Sequence, residues 1–241
     1  MTNAGKTAIV TGASQGIGAE LVDAFLKRGY SAVATSRNIT KANPFPASGN
    51  LALVDGDIGD PETAAKIVDT AVARFGRIDV LVNNAGIFIP KPFTEYTTED
   101  FNALVSTTLA GFLYVSQLSV KQMLRQKSGS IVNVSTTLVG HPVAGVPVTV
   151  QVMAKGALDA VTRALAMEYA HEGIRVNTVS LGTINTPMHK PESHEFLKGL
   201  HPVGRMGEIS EVVDAVLFLT DATFTTGEIL HVDGGAHAGK W

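Results

Sequence analysis

Thr11-Gly12-Ala13-Ser14-Gln15-Gly16-Ile17-Gly18 stands between a short apolar run, Thr7–Val10, and a stretch of helical spacing, Ala19–Arg28. Each glycine in it has a distinct physical use. Gly12 lets the chain turn sharply off a strand, Gly16 removes the side chain where backbone meets a pyrophosphate, and Gly18 lets a helix pack closely on a sheet. With Ser14, Gln15 and Ile17 between them, the turn would open into a helix N-terminus, whose free N–H groups and partial positive charge suit phosphate. The plain alternative is a tight turn with no ligand, which a lone glycine pattern does not exclude.

The rest of the chain repeats this strand–helix unit. Short apolar runs occur at Ala32–Thr35, Leu51–Val54, Val80–Val82, Ser130–Val134, Val176–Ser180 and Ile229–Val232. Helical spacing fills Pro61–Phe75, Thr98–Arg125, Ala154–His171 and Glu208–Leu219. Runs that are apolar on both faces and alternate with helices predict a parallel sheet covered on both sides. Right-handed crossovers make that an α/β doubly wound sheet, and 241 residues fit one domain, 1–241. The least regular stretches are Asn38–Asn50, Val139–Val150 and Pro187–Arg205. The last two follow strand ends, where ligands of such sheets bind, so one of them is a candidate lid.

Composition narrows the function. With 45% hydrophobic and 17% charged residues the chain can pack a core. A net charge of -3 without a basic cluster argues against nucleic acid as a partner. The chain has no cysteine, which excludes disulfides and thiolate chemistry. No apolar run reads as a membrane span and Met1–Lys6 holds no signal-peptide core, so a soluble, cytoplasmic protein is expected. His189, His194 and His201 match no ligand spacing, and no metal is expected.

The second strand ends at Thr35-Ser36-Arg37-Asn38, roughly where folds of this kind place the residue that reads the adenosine ribose. An acidic residue there would accept from a 2′-hydroxyl. Ser36 and Arg37 instead offer a hydroxyl and a guanidinium, which suit a 2′-phosphate and favour NADP (NADPH) over NAD.

Asn83-Asn84-Ala85-Gly86 directly follows Val80–Val82 and, together with Thr11–Gly18, resembles the signature pair of the short-chain dehydrogenase/reductase family. The resemblance covers nearly the whole chain and implies a Rossmann-type fold. Asp57-Ile58 stands where family members touch adenine. Arg175-Val176-Asn177 and Leu181-Gly182-Thr183-Ile184-Asn185-Thr186-Pro187 resemble the strand and loop beside the nicotinamide, where Ile184 and Thr186 would meet the carboxamide. His201–Gly207, Thr226–Glu228 and Asp233–Gly235 resemble the C-terminal segments. The resemblance thus implies cofactor contacts at Gly12, Ser14, Gln15, Gly16, Ile17, Gly18, Ser36, Arg37, Asp57, Ile58, Asn83, Ala85, Gly86, Lys155, Gly182, Ile184 and Thr186. It also implies a homodimer or homotetramer built through the long central helices, although their apolar faces could equally be internal core.

The catalytic positions depart from the family pattern of Asn, Ser, Tyr and Lys. Lys155 is present, but Gln151 stands at the tyrosine position, and none of Tyr30, Tyr96, Tyr114 and Tyr169 lies between Ser130 and Lys155. The serine position falls in Ser135-Thr136-Thr137: counting along the strand favours Thr136, counting back from Gly140 favours Thr137. Thr108 occupies the asparagine position. A glutamine amide can donate a hydrogen bond but carries no proton that titrates near neutral pH. His141, in the loop after the strand, is a candidate replacement acid, with an exposed loop histidine as the bland alternative. Two functions follow: an NADP-dependent oxidoreductase acting on a small carbonyl or alcohol by an altered proton path, or a catalytically silent NADP-binding sensor or regulatory subunit. Lyase or dehalogenase chemistry fits less well, since it has no need of Arg37 or the open glycine turn.

Overall fold

The computed structural model describes residues 3–240. Seven strands form one parallel sheet: β1 (Thr7–Thr11), β2 (Ser31–Ser36), β3 (Leu51–Asp55), β4 (Val80–Asn83), β5 (Gly129–Thr136), β6 (Ile174–Leu181) and β7 (Ile229–Val232). Their order is β3-β2-β1-β4-β5-β6-β7, so the winding reverses between β1 and β4. A reversal of this kind opens a crevice beyond the strand carboxyl ends. Eight helices connect the strands: α1 (Gly16–Lys27), α2 (Ile39–Ala42), α3 (Pro61–Phe75), α4 (Thr98–Val105), α5 (Gly111–Gln126), α6 (Thr149–Tyr169), α7 (His194–Lys198) and α8 (Ile209–Asp221).

Strand alternation divides the core into two layers. On β1, Ala8 and Val10 pack with Leu21 and Phe25 of α1 and Val212 and Val216 of α8. Ile9 points to the opposite face, among Ile67 of α3, Val115 and Met123 of α5 and Ala166 of α6. Local chemistry sets the helix ends. Asp60 caps α3 by accepting from the Glu62 N–H, Pro61 supplies the preset first φ, and Gly76 closes the helix at φ 80°. α4 opens on a reciprocal capping box between Thr97 and Asp100.

Two expected helices differ in detail. Thr98–Arg125 is not continuous: Ser106–Ala110 forms one π-helical turn between α4 and α5. Close packing accompanies it, because a Cβ on Gly111 would lie 2.8 Å from Ile58 and one on Gly59 would collide with Ser106. By length and composition the run Thr98–Gln126 could also cross a membrane, but here α5 packs on α3 and β5 inside the domain. The sixth helix begins at Thr149, five residues before the expected Ala154. That extra turn carries Gln151 onto the same helix as Lys155, four residues apart and so on one face.

Candidate active site

A cleft of about 560 Å³ opens at the carboxyl ends of β1, β4, β5 and β6. Its floor is the glycine turn. Gly12 and Gly16 have φ of 68° and 58°, a region disfavoured for side-chain-bearing residues. A Cβ on Gly12 would stand 2.8 Å from the Ala85 Cα, and one on Gly18 would stand 2.3 Å from the Gly12 carbonyl oxygen. The turn is braced against the fourth strand. Thr11 Oγ1 accepts from the N–H groups of Asn84 and Ala85, while Asn84 Nδ2 donates to the carbonyls of Thr11 and Gly12.

Gly12, Ser14, Gln15, Gly16, Ile17 and Gly18 line this floor, and Ser36, Arg37, Asp57 and Ile58 line the end beside β2. Arg37 is exposed and forms no ion pair among the described residues. Ala85 and Gly86 line the middle, and Gly182, Ile184 and Thr186 line the far end. The loop after β6 reaches back over the floor, placing Thr186 and Pro187 3.8 Å from where a Gly16 Cβ would be. Asn83 is the exception. Its side chain is buried and donates to Ser116 Oγ and Asn133 Oδ1, so it belongs to the core and not to the cleft. Its neighbour Asn84 lines the cleft instead. Strand alternation separates the two, a distinction the motif as a string of letters does not draw.

The candidate catalytic residues divide in the same way. Lys155, Gln151 and Thr136 line the cleft; Thr137, Thr108 and His141 do not. Thr137 Oγ1 donates to Asp233 Oδ2 at 2.6 Å, which occupies it away from the cleft. Thr136 faces the cleft, and its Oγ1 accepts from the Leu138 N–H, leaving its own proton free to donate. Thr108 is buried in the π turn, with its hydroxyl unpartnered. His141 is exposed, and its ring lies 6.5 Å from that of His231 and 6.0 Å from that of His237, outside the cleft lining. The loop after β5 turns it toward β7, away from the cleft that Lys155 and Gln151 line.

Lys155 is 7% exposed, and its Nζ donates to the Val134 carbonyl at 2.7 Å. Burial pulls its pKa down to about 8, with the nearby Asp159 pushing the other way. Gly86 leaves room beside this ammonium, since a Cβ there would sit 3.4 Å from Nζ. Gln151 is 3% exposed. Its Oε1 is buried without a partner, and the residue lines the cleft. Ser135, Thr107, Ile87, Phe88, Leu138 and Met188 also line the cleft without being candidates from sequence, and His189, weighed there only as a metal ligand, lines it too. Only Ser135 lay within a stretch already read as catalytic. Thr107 reaches the cleft from the π turn and Leu138 from the short 3-10 turn after β5, while Met188 and His189 lie in the Pro187–Arg205 stretch that follows β6.

The arrangement fits an elongated phosphate-bearing ligand: a side-chain-free floor at a helix N-terminus, a free guanidinium at one end and a buried ammonium toward the other. Among the described residues no cluster of His, Asp and Glu is suited to a metal ion.

A doubly wound sheet with this cleft defines the class of nicotinamide-dependent oxidoreductases. The chain belongs to the short-chain dehydrogenase/reductase family: the family model described as Enoyl-(Acyl carrier protein) reductase matches residues 12–237. The chain is 35% identical to a 3-oxoacyl-acyl-carrier-protein reductase, FabG, of Thermotoga maritima, over 96% of this chain and 97% of the relative. It is 34% identical to a glucose 1-dehydrogenase of Gluconobacter oxydans, over 96% and 92%. Among solved structures, ElxO with NADP bound superimposes with a TM-score of 0.90 at 31% identity, covering 97% of this chain and 99% of that one. A 3-ketoacyl-acyl-carrier-protein reductase from Brucella melitensis complexed with NADH reaches the same TM-score at 28% identity.

Proposed function

We propose that the protein is an NADP(H)-dependent oxidoreductase that interconverts a small carbonyl compound and its alcohol, with Lys155 in place of tyrosine as the titratable proton donor. The observation that carries this reading is the buried Lys155 ammonium in the same cleft as the glycine turn, one helical turn from Gln151. Arg37 and Ser36 support NADP over NAD, as they supply a cation and a hydroxyl where an acidic residue would repel a 2′-phosphate.

A bound nicotinamide supplies the hydride. Gln151 Nε2 and the Thr136 hydroxyl donate hydrogen bonds to the substrate oxygen, holding the carbonyl and the charge that develops on it. Lys155 Nζ gives up a proton toward that oxygen and, now neutral, regains one from solvent. The cleft wall near these groups is formed by Ile87, Phe88, Leu138 and Met188, which suits an uncharged substrate with an apolar body.

The second reading, a cofactor-binding protein without turnover, is favoured by Gln151 itself, since general acid–base help is worth about 10²–10⁴-fold. NADPH oxidation over a panel of small carbonyls, comparing wild type with Gln151→Tyr, separates the two. Turnover by wild type, lost in Lys155→Ala, supports the enzyme. Turnover by Gln151→Tyr alone supports the silent binder.

We read the assembly as a cytoplasmic homodimer or homotetramer. Leu113 on α5 and Met153 and Met167 on α6 are 52%, 57% and 81% exposed, which leaves apolar helix surface for a second copy. Light scattering is expected to give two or four chains per particle, and a monomer at micromolar concentration would refute this.

A further inference from the structure

His201 opens the His201–Gly207 segment and has no part in the site described above, yet it is 4% exposed and makes two specific hydrogen bonds. Its Nε2 faces the Thr183 N–H at 2.8 Å. A backbone N–H can only donate, so Nε2 must be an unprotonated acceptor and the ring proton must sit on Nδ1. From there it donates to the Leu197 carbonyl at 3.1 Å. Thr183 lines the far end of the cleft, while Leu197 belongs to α7, in the segment that leaves β6 and passes over the glycine turn. One imidazole thus links the cleft wall to the segment that covers it.

The fit is tight from both sides. A Cβ on Gly182 would fall 2.6 Å from His201 Nε2 and 2.9 Å from the Asp233 Cα, so glycine at 182 makes room for the ring. Just after β6, Gly182 has no side chain to set against the ring and Thr183 presents its backbone N–H. The α7 segment presents the carbonyls of Leu197 and Lys198, and the segment after β7 presents the charged Asp233, itself bonded to His237. Burial outweighs these carbonyls and Asp233, and it holds the His201 pKa below the usual histidine value.

We propose that His201 is a positioning residue that latches the segment between Thr186 and His201 onto the cleft wall, engaged while its ring is neutral and released when the ring is protonated. A proton on Nε2 would set two N–H donors against each other, so the cation cannot keep the Thr183 bond. The folded-state pKa is depressed, so the latch contributes above the unfolded histidine value and is lost as pH falls through the folded one. The proposal rests on the oxidoreductase reading only for what the cleft holds; the latch itself needs no nucleotide.

Its test therefore uses the ligand-free full chain. Hydrogen-exchange protection of the Thr183 amide and of peptides covering 186–201, corrected for intrinsic exchange, is measured from about pH 7.5 to about pH 5 in wild type, His201→Gln and His201→Leu. Glutamine can place an acceptor near the Nε2 position without titrating. Wild-type protection should fall by about tenfold or more on acidification, as expected on losing a buried hydrogen bond, while His201→Gln stays flat and His201→Leu is unprotected at both ends. Flat wild-type protection, or an equal fall in His201→Gln, overturns the latch. Should His201→Leu fail to fold, the comparison of wild type with His201→Gln still decides. Loss of turnover with the exchange pattern intact would count against the oxidoreductase reading and leave the latch standing.

Discussion

At the scale of single residues, the cleft is decided by which way a side chain points. Thr136 and Thr137 are adjacent and chemically identical, and both were open candidates from counting alone. The chain turns the first to the cleft and gives the second to Asp233. Asn83 and Asn84 divide likewise, one into the core and one beneath the glycine turn. Lys155 was legible because helical spacing and family pattern agree on it. Its depressed pKa was not, since burial is a property of the assembled helix. The proton-donor role has a definite pH signature. Reduction needs the ammonium, so its rate should fall as pH rises through about 8, and Lys155→Ala should lose roughly 10²-fold or more in kcat without the same loss in NADPH affinity. A rate that stays level from pH 7 to 9.5 would refute that role. At the other end of the cleft, Arg37→Ala should weaken NADPH roughly 10- to 100-fold and NADH far less, read by fluorescence titration. Equal losses for both nucleotides would remove the case for a 2′-phosphate.

At the scale of elements, strand and helix identities followed from periodicity, while their ends and interruptions depended on contacts made across the fold. The helix Pro61–Phe75 has the bounds its sequence predicts because its signals are local: an aspartate cap, a proline and a left-handed glycine. The π turn at Ser106–Ala110 answers to Ile58 and Gly59, some fifty residues away, and no local pattern announces it. Periodicity places the start of α6 too late, at Ala154, because Thr149–Met153 contains β-branched residues, which have weak helix propensity. The glycine turn is the element most sensitive to one atom. In Gly18→Ala the new methyl would meet the Gly12 carbonyl, which is backbone and cannot step aside. Overpacking of this kind costs about 1–3 kcal/mol, so a fall of several degrees in Tm should accompany weaker nucleotide binding. An unchanged melting curve would mean that the turn is looser than its geometry indicates.

At the scale of the whole molecule, alternation of strands and helices was enough to anticipate a doubly wound sheet, and its two-layer core follows from strands buried on both faces. What spacing could not give was the brace between Thr11 and the Asn84–Ala85 backbone, which joins residues 73 positions apart across the point where the winding reverses. That brace makes the cleft floor a joint property of the two halves of the chain. A ligand lying from Arg37 to Ile184 would grip β2 and β6 at once, so it would bind the assembled domain and neither half alone. Its binding free energy then adds to the stability of the fold, by about 2.7 kcal/mol when the free ligand is a hundredfold above its Kd. The lifetime of this chain inside a cell would thereby follow the supply of its nucleotide, and a starved cell would clear it by proteolysis faster than a well-fed one.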